Sequence, residues 1–365
     1  MDYQGRQCRA QSLLAPLRLQ TLLVTHPPNI RYVCGFTGSS ATLLLNARQC
    51  LFFSDGRYTE QARAEVQGAR VVIAPKAPLT MAAEWLHGHS RGRNRKPATV
   101  VGIEGDHLTL REHDRLRKML RPGFRLRMTA SPVEQARMVK DSDEIEQMRR
   151  SAALGARLFA RALEVIRPGV AEAEVAAEME LTARRSGVEG MSFPTIIASG
   201  KRSALPHGRA SNAVIEPGGF VVCDFGVILT GYCSDMTRTV YVGRPSAEAR
   251  RVYDAVRQAQ LAALETAKPG ATTGEVDRAA RNVLKKEGLG RYFTHSTGHG
   301  VGLEIHEAPR VADGEKTVLC PGMVITVEPG VYIPGKWGVR IEDTVVITEQ
   351  GCEVLAPTGK ELVAV

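Results

Sequence analysis

The sequence predicts two units: an α/β domain over residues 1–132, then an α+β unit over residues 133–365 built on an internal pseudo-twofold repeat. Three observations carry that expectation. Strand-like and helix-like runs alternate between residues 20 and 130. A connection rich in proline, glycine and arginine then runs into a long amphipathic segment. In the second region, motifs recur at a nearly constant offset, as in a duplicated unit.

In chain order, LLVTH, ATLLLN, CLFFSD, RVVIAP and TVVGIEG are strand-like, and GRYTEQARAEV, LTMAAEWLHGH and LTLREHDRLRKML are helix-like. That βα alternation implies a sheet that is at least partly parallel. The run from RPGFRLRMTASP to MVKDSDEIEQMRR reads as a connection entering a helix. Ser142 with Glu144 and Glu146 marks its start, and Ile145, Met148, Ala152 and Leu158 follow helical spacing.

The repeat shows in two places. RPG at 167–169 and KPG at 268–270 each precede a helical run, with Pro168 matching Pro269, Glu174 matching Glu275 and Gly187 matching Gly288 at an offset of 101. EPGGFVVCDFG at 216–226 aligns with CPGMVITVEPG at 320–330 at an offset of 104, which sets Asp224 on Glu328. Each half is thus expected to place a carboxylate on a strand at the same position.

Composition excludes several function classes. The chain has 365 residues, 43% hydrophobic and 24% charged, as in an ordinary soluble globular protein. No apolar stretch approaches the ~20 residues of a membrane span, and the first 30 residues contain no apolar h-region. Seven cysteines without C-x-x-C spacing argue against a disulfide framework or thiolate zinc site, and for a reducing cytoplasm. Residues 1–132 carry 20 Lys+Arg against 9 Asp+Glu, a net +11, densest in RGRNRKP at 91–97. No P-loop, zinc-finger spacing or aromatic-basic signature accompanies that charge, so it reads as an Arg-rich surface with no nucleic-acid role.

Asp224 and Asp235 sit in VVCDFGVILTGYCSDMTRTV, in stretches that otherwise read as buried strands. A carboxylate is rarely buried unpaired. THSTGHGVGLEIHEAP adds His295, His299 and His306, TVEPG adds Glu328, and WGVRIEDTVVI adds Glu342 with Arg340 two residues earlier on the same face. Taken singly, each has an ordinary alternative: a turn aspartate, a surface Arg–Glu pair, a structural histidine. Together, four carboxylates and one of the histidines balance the charge of two divalent metal ions. Such a donor set favours a harder ion such as Mn²⁺ and admits Co²⁺, Fe²⁺ or Zn²⁺. Two such ions can share and acidify one water and clamp a carbonyl oxygen, which is hydrolytic chemistry.

DFG, SDMTRT, HSTGHGVGLEIHE, TVEPGVY and GVRIEDT resemble the corresponding stretches of the pita-bread metallopeptidases, family M24. NIRYVCGFTGSSATLLL, FFSDGRYTEQA and MVKDSDEIEQMRRSA are similar to the creatinase-type N-terminal domain and interdomain helix of its proline-specific branch, the Xaa-Pro aminopeptidases and Xaa-Pro dipeptidases (prolidases). That resemblance implies that Asp224 and Asp235 bind one metal, that His299 binds the second, and that Asp235 and Glu342 bridge. It implies Glu328 as a ligand beside a bridging water or hydroxide and as general base. His207 (in ALPHGRAS), His295 and His306 are implied as substrate-contacting groups, Arg340 as an arginine near the substrate's C-terminal side, and Tyr332 as a pocket residue.

The activity so implied is hydrolysis of an Xaa-Pro bond at a peptide's N-terminus or in a dipeptide, by a homodimer. A methionine-type or general metallo-aminopeptidase is the neighbouring alternative. A non-catalytic pita-bread binding module is the alternative of another class, and a retired enzyme has no chemical need for the intact set Asp224, Asp235, His299, Glu328 and Glu342.

Overall fold

The computed structural model describes residues 1–89, 98–120, 122–130, 132–356 and 358–365, so the basic run at 91–97 lies outside the described residues. The chain divides into two units, Met1–Arg137 and Met138–Val365. The boundary expected near residue 132 falls at the start of the short helix Pro132–Arg137. That helix is tied into the first unit: Glu134 accepts from Asn29 at 2.7 Å and faces His107 at 2.8 Å, and Arg137 donates to Asn29 at 2.7 Å.

The first unit is a six-stranded mixed sheet in the order Arg70–Ile73, Gln49–Ser54, Ala41–Asn46, Thr21–Val24, Thr99–Glu104, Phe124–Thr129. Ala41–Asn46 and Gln49–Ser54 form a hairpin, closed by Asn46 Oδ1 accepting from the amides of Arg48 and Gln49. The outer pairs are parallel and need crossovers, supplied by the helices Thr59–Glu65 and Leu110–Leu120. Leu23, Leu44, Phe53, Val101 and Ile103 meet Met81 and Leu86 of the helix Pro78–His89 in the core.

Phe124–Thr129 corrects the sequence reading, which took FRLRMT for connection. Its alternating arginines disguise a strand that sits at the sheet edge, where only one neighbour covers it. The helices Tyr3–Ser12 and Pro27–Cys34 were likewise not foreseen.

The second unit opens with the helix Ser142–Val165, whose N-cap is Asp141 in a reciprocal capping box with Glu144. The helix Glu172–Arg185 follows. It is succeeded by a three-stranded sheet in the order Met236–Tyr241, Phe220–Phe225, Ile196–Ser199. The plan then recurs: helices Ala247–Thr266 and Thr273–Lys286, then a five-stranded sheet and the hairpin Gly330–Ile333/Trp337–Arg340.

The duplication is visible bond by bond. The Gly169 amide donates to Ile215 O at 3.0 Å, and the Gly270 amide to Leu319 O at 3.0 Å. The amides of Ile215 and Leu319 return to Val170 O and Ala271 O, each at 2.8 Å. Donors and acceptors are displaced by the same 101 and 104 residues that the motifs show. Gly218 and Gly322 turn the chain in both halves with φ of 86° and 87°, a region L side chains rarely adopt. Among the described residues, no helix is long and apolar enough to cross a membrane.

Candidate metal centre

Every residue of the strand Phe220–Phe225 is buried, Asp224 included, and Asp224 lies between Ile196 and Thr237 on its two neighbours. Asp235 immediately precedes the partner strand Met236–Tyr241, its backbone carbonyl held by Thr344 Oγ1 at 2.8 Å. Gly226 allows this return, since a Cβ there would lie 1.8 Å from Ser234 O. In the other half, Gly298 fits against Thr326 O, which a Cβ would approach to 2.0 Å. That contact seats His299, in the strand Gly298–Gly300, beside the strand Val324–Val327 and the Glu328 that follows it. Glu342 lies between Trp337–Arg340 and Asp343–Ile347, with its carboxylate taking a 2.6 Å bond from Thr237 Oγ1.

Asp224, Asp235, His299, Glu328 and Glu342 line a cavity of about 600 Å³. Donor atoms of Asp235, His299 and Glu342 all fall within 4.8 Å of one another. Burial lowers His299 to about 4, so its ring is neutral near pH 7. Its Nδ1 is 3.0 Å from Gly300 O, which can only accept, so Nδ1 carries the proton. The bare Nε2 therefore faces Glu328 Oε1 at 3.4 Å and Asp235 Oδ2 at 3.6 Å.

A lone pair against a carboxylate is unfavourable unless a cation or a shared proton lies between them. Asp224 Oδ1 adds a buried oxygen with no hydrogen-bond partner. Burial, followed by the neighbouring carboxylates, raises Asp235 and Glu342 well above ordinary carboxyl values. Burial also raises Glu328, to about 8, although Arg340 opposes it. The donor set fits divalent cations and is strained without them.

His207, His295, His306 and Arg340 line the same cavity. His207 and His306 are exposed in it, and the His306 ring stands edge-on to His299 at 4.4 Å. Tyr332 lies beneath the wall, bridging Arg340 Nη1 at 2.6 Å and His295 Nε2 at 3.0 Å. His295 Nδ1 is 2.8 Å from Ser296 O, so both of its ring nitrogens are engaged.

Arg340 is buried, with four bonds committed inside the protein: to Thr237, Pro206 O, Tyr332 and Asp224. The cavity also contains Arg209 and Arg310, which the sequence reading did not single out, although they follow His207 and His306 by two and four residues. Phe193, Pro194 and Ile305 form an apolar part of its wall.

Comparison with known proteins covers both units. The family profile described as metallopeptidase family M24 matches residues 146–349, and the creatinase/prolidase N-terminal domain matches residues 6–139. The chain is 38% identical to the uncharacterized peptidase YqhT of Bacillus subtilis over 97% of this chain and 98% of that one. The solved structure of the Xaa-Pro dipeptidase from Bacillus anthracis superposes with a TM-score of 0.94 at 39% identity, covering 100% of both chains. The X-Pro aminopeptidase from Thermotoga maritima gives 0.89 at 36% identity, covering 98% of this chain and 100% of that one.

Proposed function

The chain belongs to metallopeptidase family M24, and from that premise we propose that it is an Xaa-Pro dipeptidase working with two divalent ions, manganese in the first instance. The observation that carries this reading is the bare His299 Nε2 facing carboxylates of both halves beside the partnerless Asp224 Oδ1. Asp224, Asp235, His299, Glu328 and Glu342 would hold the ions. When bound, they supply Lewis acidity that acidifies a water and polarises the scissile carbonyl.

The chain's own groups do the rest. Glu328 takes the proton of the attacking water and delivers it to the leaving nitrogen. His306, whose pKa is lowered by its partial burial and then by His207, can donate an N–H to the oxygen that gains charge. His207 stands ready for the same work from the other loop. His295, with both nitrogens engaged, serves as a fixed wall. Phe193, Pro194 and Ile305 offer an apolar surface for a pyrrolidine ring.

A dipeptide keeps its free carboxylate close to the scissile bond. Arg340 is committed to the protein, whereas Arg209 and Arg310 line the cavity with no ion pair among the described residues, and they are our candidates for that carboxylate. Peptide length distinguishes a dipeptidase from an aminopeptidase, and solved structures of both kinds share this fold. Hydrolysis of Ala-Pro, Ala-Pro-Ala and Ala-Ala-Ala is compared in metal-free protein and after Mn²⁺ is restored. Metal-dependent cleavage of Ala-Pro alone supports the dipeptidase, cleavage that includes Ala-Pro-Ala makes it an aminopeptidase, and comparable cleavage of Ala-Ala-Ala removes the proline requirement.

A further inference from the structure

Behind the carboxylates lies a second charged cluster whose members line no part of the cavity. Glu342 lines the cavity and Thr237 bonds its carboxylate, whereas their successors, Arg238 and Asp343, pair with each other and line no part of it. Arg238 is 1% exposed and Asp343 2%. Arg238 Nη1 donates to the backbone carbonyls of both Thr237 and Glu342, at 2.9 and 2.6 Å. Its Nη2 donates to Asp343 Oδ1 at 2.7 Å and Thr358 O at 3.0 Å, and its Nε to Gly359 O at 3.1 Å. The other oxygen of Asp343 meets Lys360 Nζ at 2.5 Å and Gln260 Nε2 at 2.8 Å.

One guanidinium thus fixes the backbone of a candidate ligand, Glu342, and of the residue that hydrogen-bonds its carboxylate, Thr237. It does so across the seam where the two halves meet. Asp343 sits between two cations, Arg238 and, from the segment after residue 357, Lys360, so one buried carboxylate ties both to the same place. A shift of the 342 carbonyl moves the Glu342 carboxylate with it, because one residue carries both.

We propose that Arg238, Asp343 and Lys360 form a positioning unit that sets the affinity of the centre for divalent cations, with residues 358–360 part of its frame. This rests on the metal-centre reading above. Groups of this kind, one step behind the ligands, typically change metal affinity 10–100-fold when altered.

The test is Mn²⁺ affinity of the full chain, measured by competition with a chromophoric chelator, alongside the melting temperature of the metal-free protein. Lys360→Met should weaken Mn²⁺ binding about 10-fold, and Arg238→Lys, which loses the planar fork, towards 100-fold. Arg257→Met removes a different contact to the same segment, the 2.8 Å pair with Glu361, and should leave the affinity unchanged. Lys360→Met, the milder change, stays decisive should Arg238→Lys fail to fold. A lower melting temperature with unchanged Mn²⁺ affinity in Lys360→Met would overturn the proposal, as would an equal loss in Arg257→Met. Failure of the unmodified protein to take up Mn²⁺ would overturn the metal-centre reading and this inference together.

Discussion

Arg340 gives one guanidinium nitrogen to Asp224 Oδ2, and the other oxygen of that carboxylate is left buried without a hydrogen-bond partner. The same arginine grips Tyr332, which in turn occupies His295. The cation therefore orients a candidate metal ligand and a pocket histidine at once.

Tyr332→Phe separates these two effects. It removes the hydroxyl between Arg340 and His295 and leaves Asp224 paired. The expected loss is about 10-fold in kcat/KM, the equivalent of one buried hydrogen bond of about 1.4 kcal/mol, with metal content unchanged. Loss of metal in this variant would assign Tyr332 to holding the centre together.

Glu328→Ala deletes a candidate ligand and the candidate base in one step, and hydrolysis of Ala-Pro should become undetectable. His306→Ala should lower kcat by about 10²–10⁴ while the metal content stays at the wild-type value, as for a group that stabilises developing charge. Metal analysis beside kinetics distinguishes the two roles, and near-normal turnover in either variant would reassign the residue.

The metal-free fold should lose stability as pH rises from about 6.5 to about 8. Burial raises Glu328 from an ordinary 4.5 to about 8, so through that interval the fold holds a proton that the unfolded chain has released. Asp235 and Glu342 are raised in the same direction. His295 and His299, lowered by burial from 6.5 to about 4, act oppositely, but only between those two values. Thermal melting in chelator across pH 6.5–8 checks the sign, and a melting temperature that climbs would show Glu328 ionised in the empty fold. Mn²⁺ binding at pH 7 should accordingly release protons, measurable by calorimetry in buffers of different ionisation enthalpy.

Gly298→Ala should be severe although it alters no charge. The added Cβ would meet a backbone carbonyl, Thr326 O, at 2.0 Å, which cannot swing aside as a side chain could. A cost of at least about 3 kcal/mol is expected, with loss of His299 geometry. Gly288→Ala gives a useful contrast, since its strain is conformational (φ 72°) and a Cβ there meets nothing within 4 Å. Chemical denaturation ranks the two.

Much of this was legible in the sequence because the relevant signals are short-range or periodic. The offsets of 101 and 104 survive as paired backbone bonds because the same turn glycines and prolines close the same turns in both halves. Asp224 and Asp235 stand out because a carboxylate in an apolar run requires an explanation. The strand Phe124–Thr129 was hidden because its arginines mimic a loop, and an edge strand needs only one apolar face. The commitment of Arg340 to Asp224 and Tyr332, and the cluster around Arg238, depend on which residues meet across the two halves, which spacing along the chain does not encode. Arg209 and Arg310 escaped notice because an arginine in a polar loop has no periodicity to betray it.

The contacts that join Thr237 to Glu342 and Asp224 to Arg340 span 105 and 116 residues. Neither half contains the whole donor set: Asp224 and Asp235 come from one, His299, Glu328 and Glu342 from the other. Contacts of such sequence separation are entropically expensive to close, so the centre should be completed late in folding. Metal uptake then reports on docking of the halves, and a chain released with one half misfolded remains ion-free and inert.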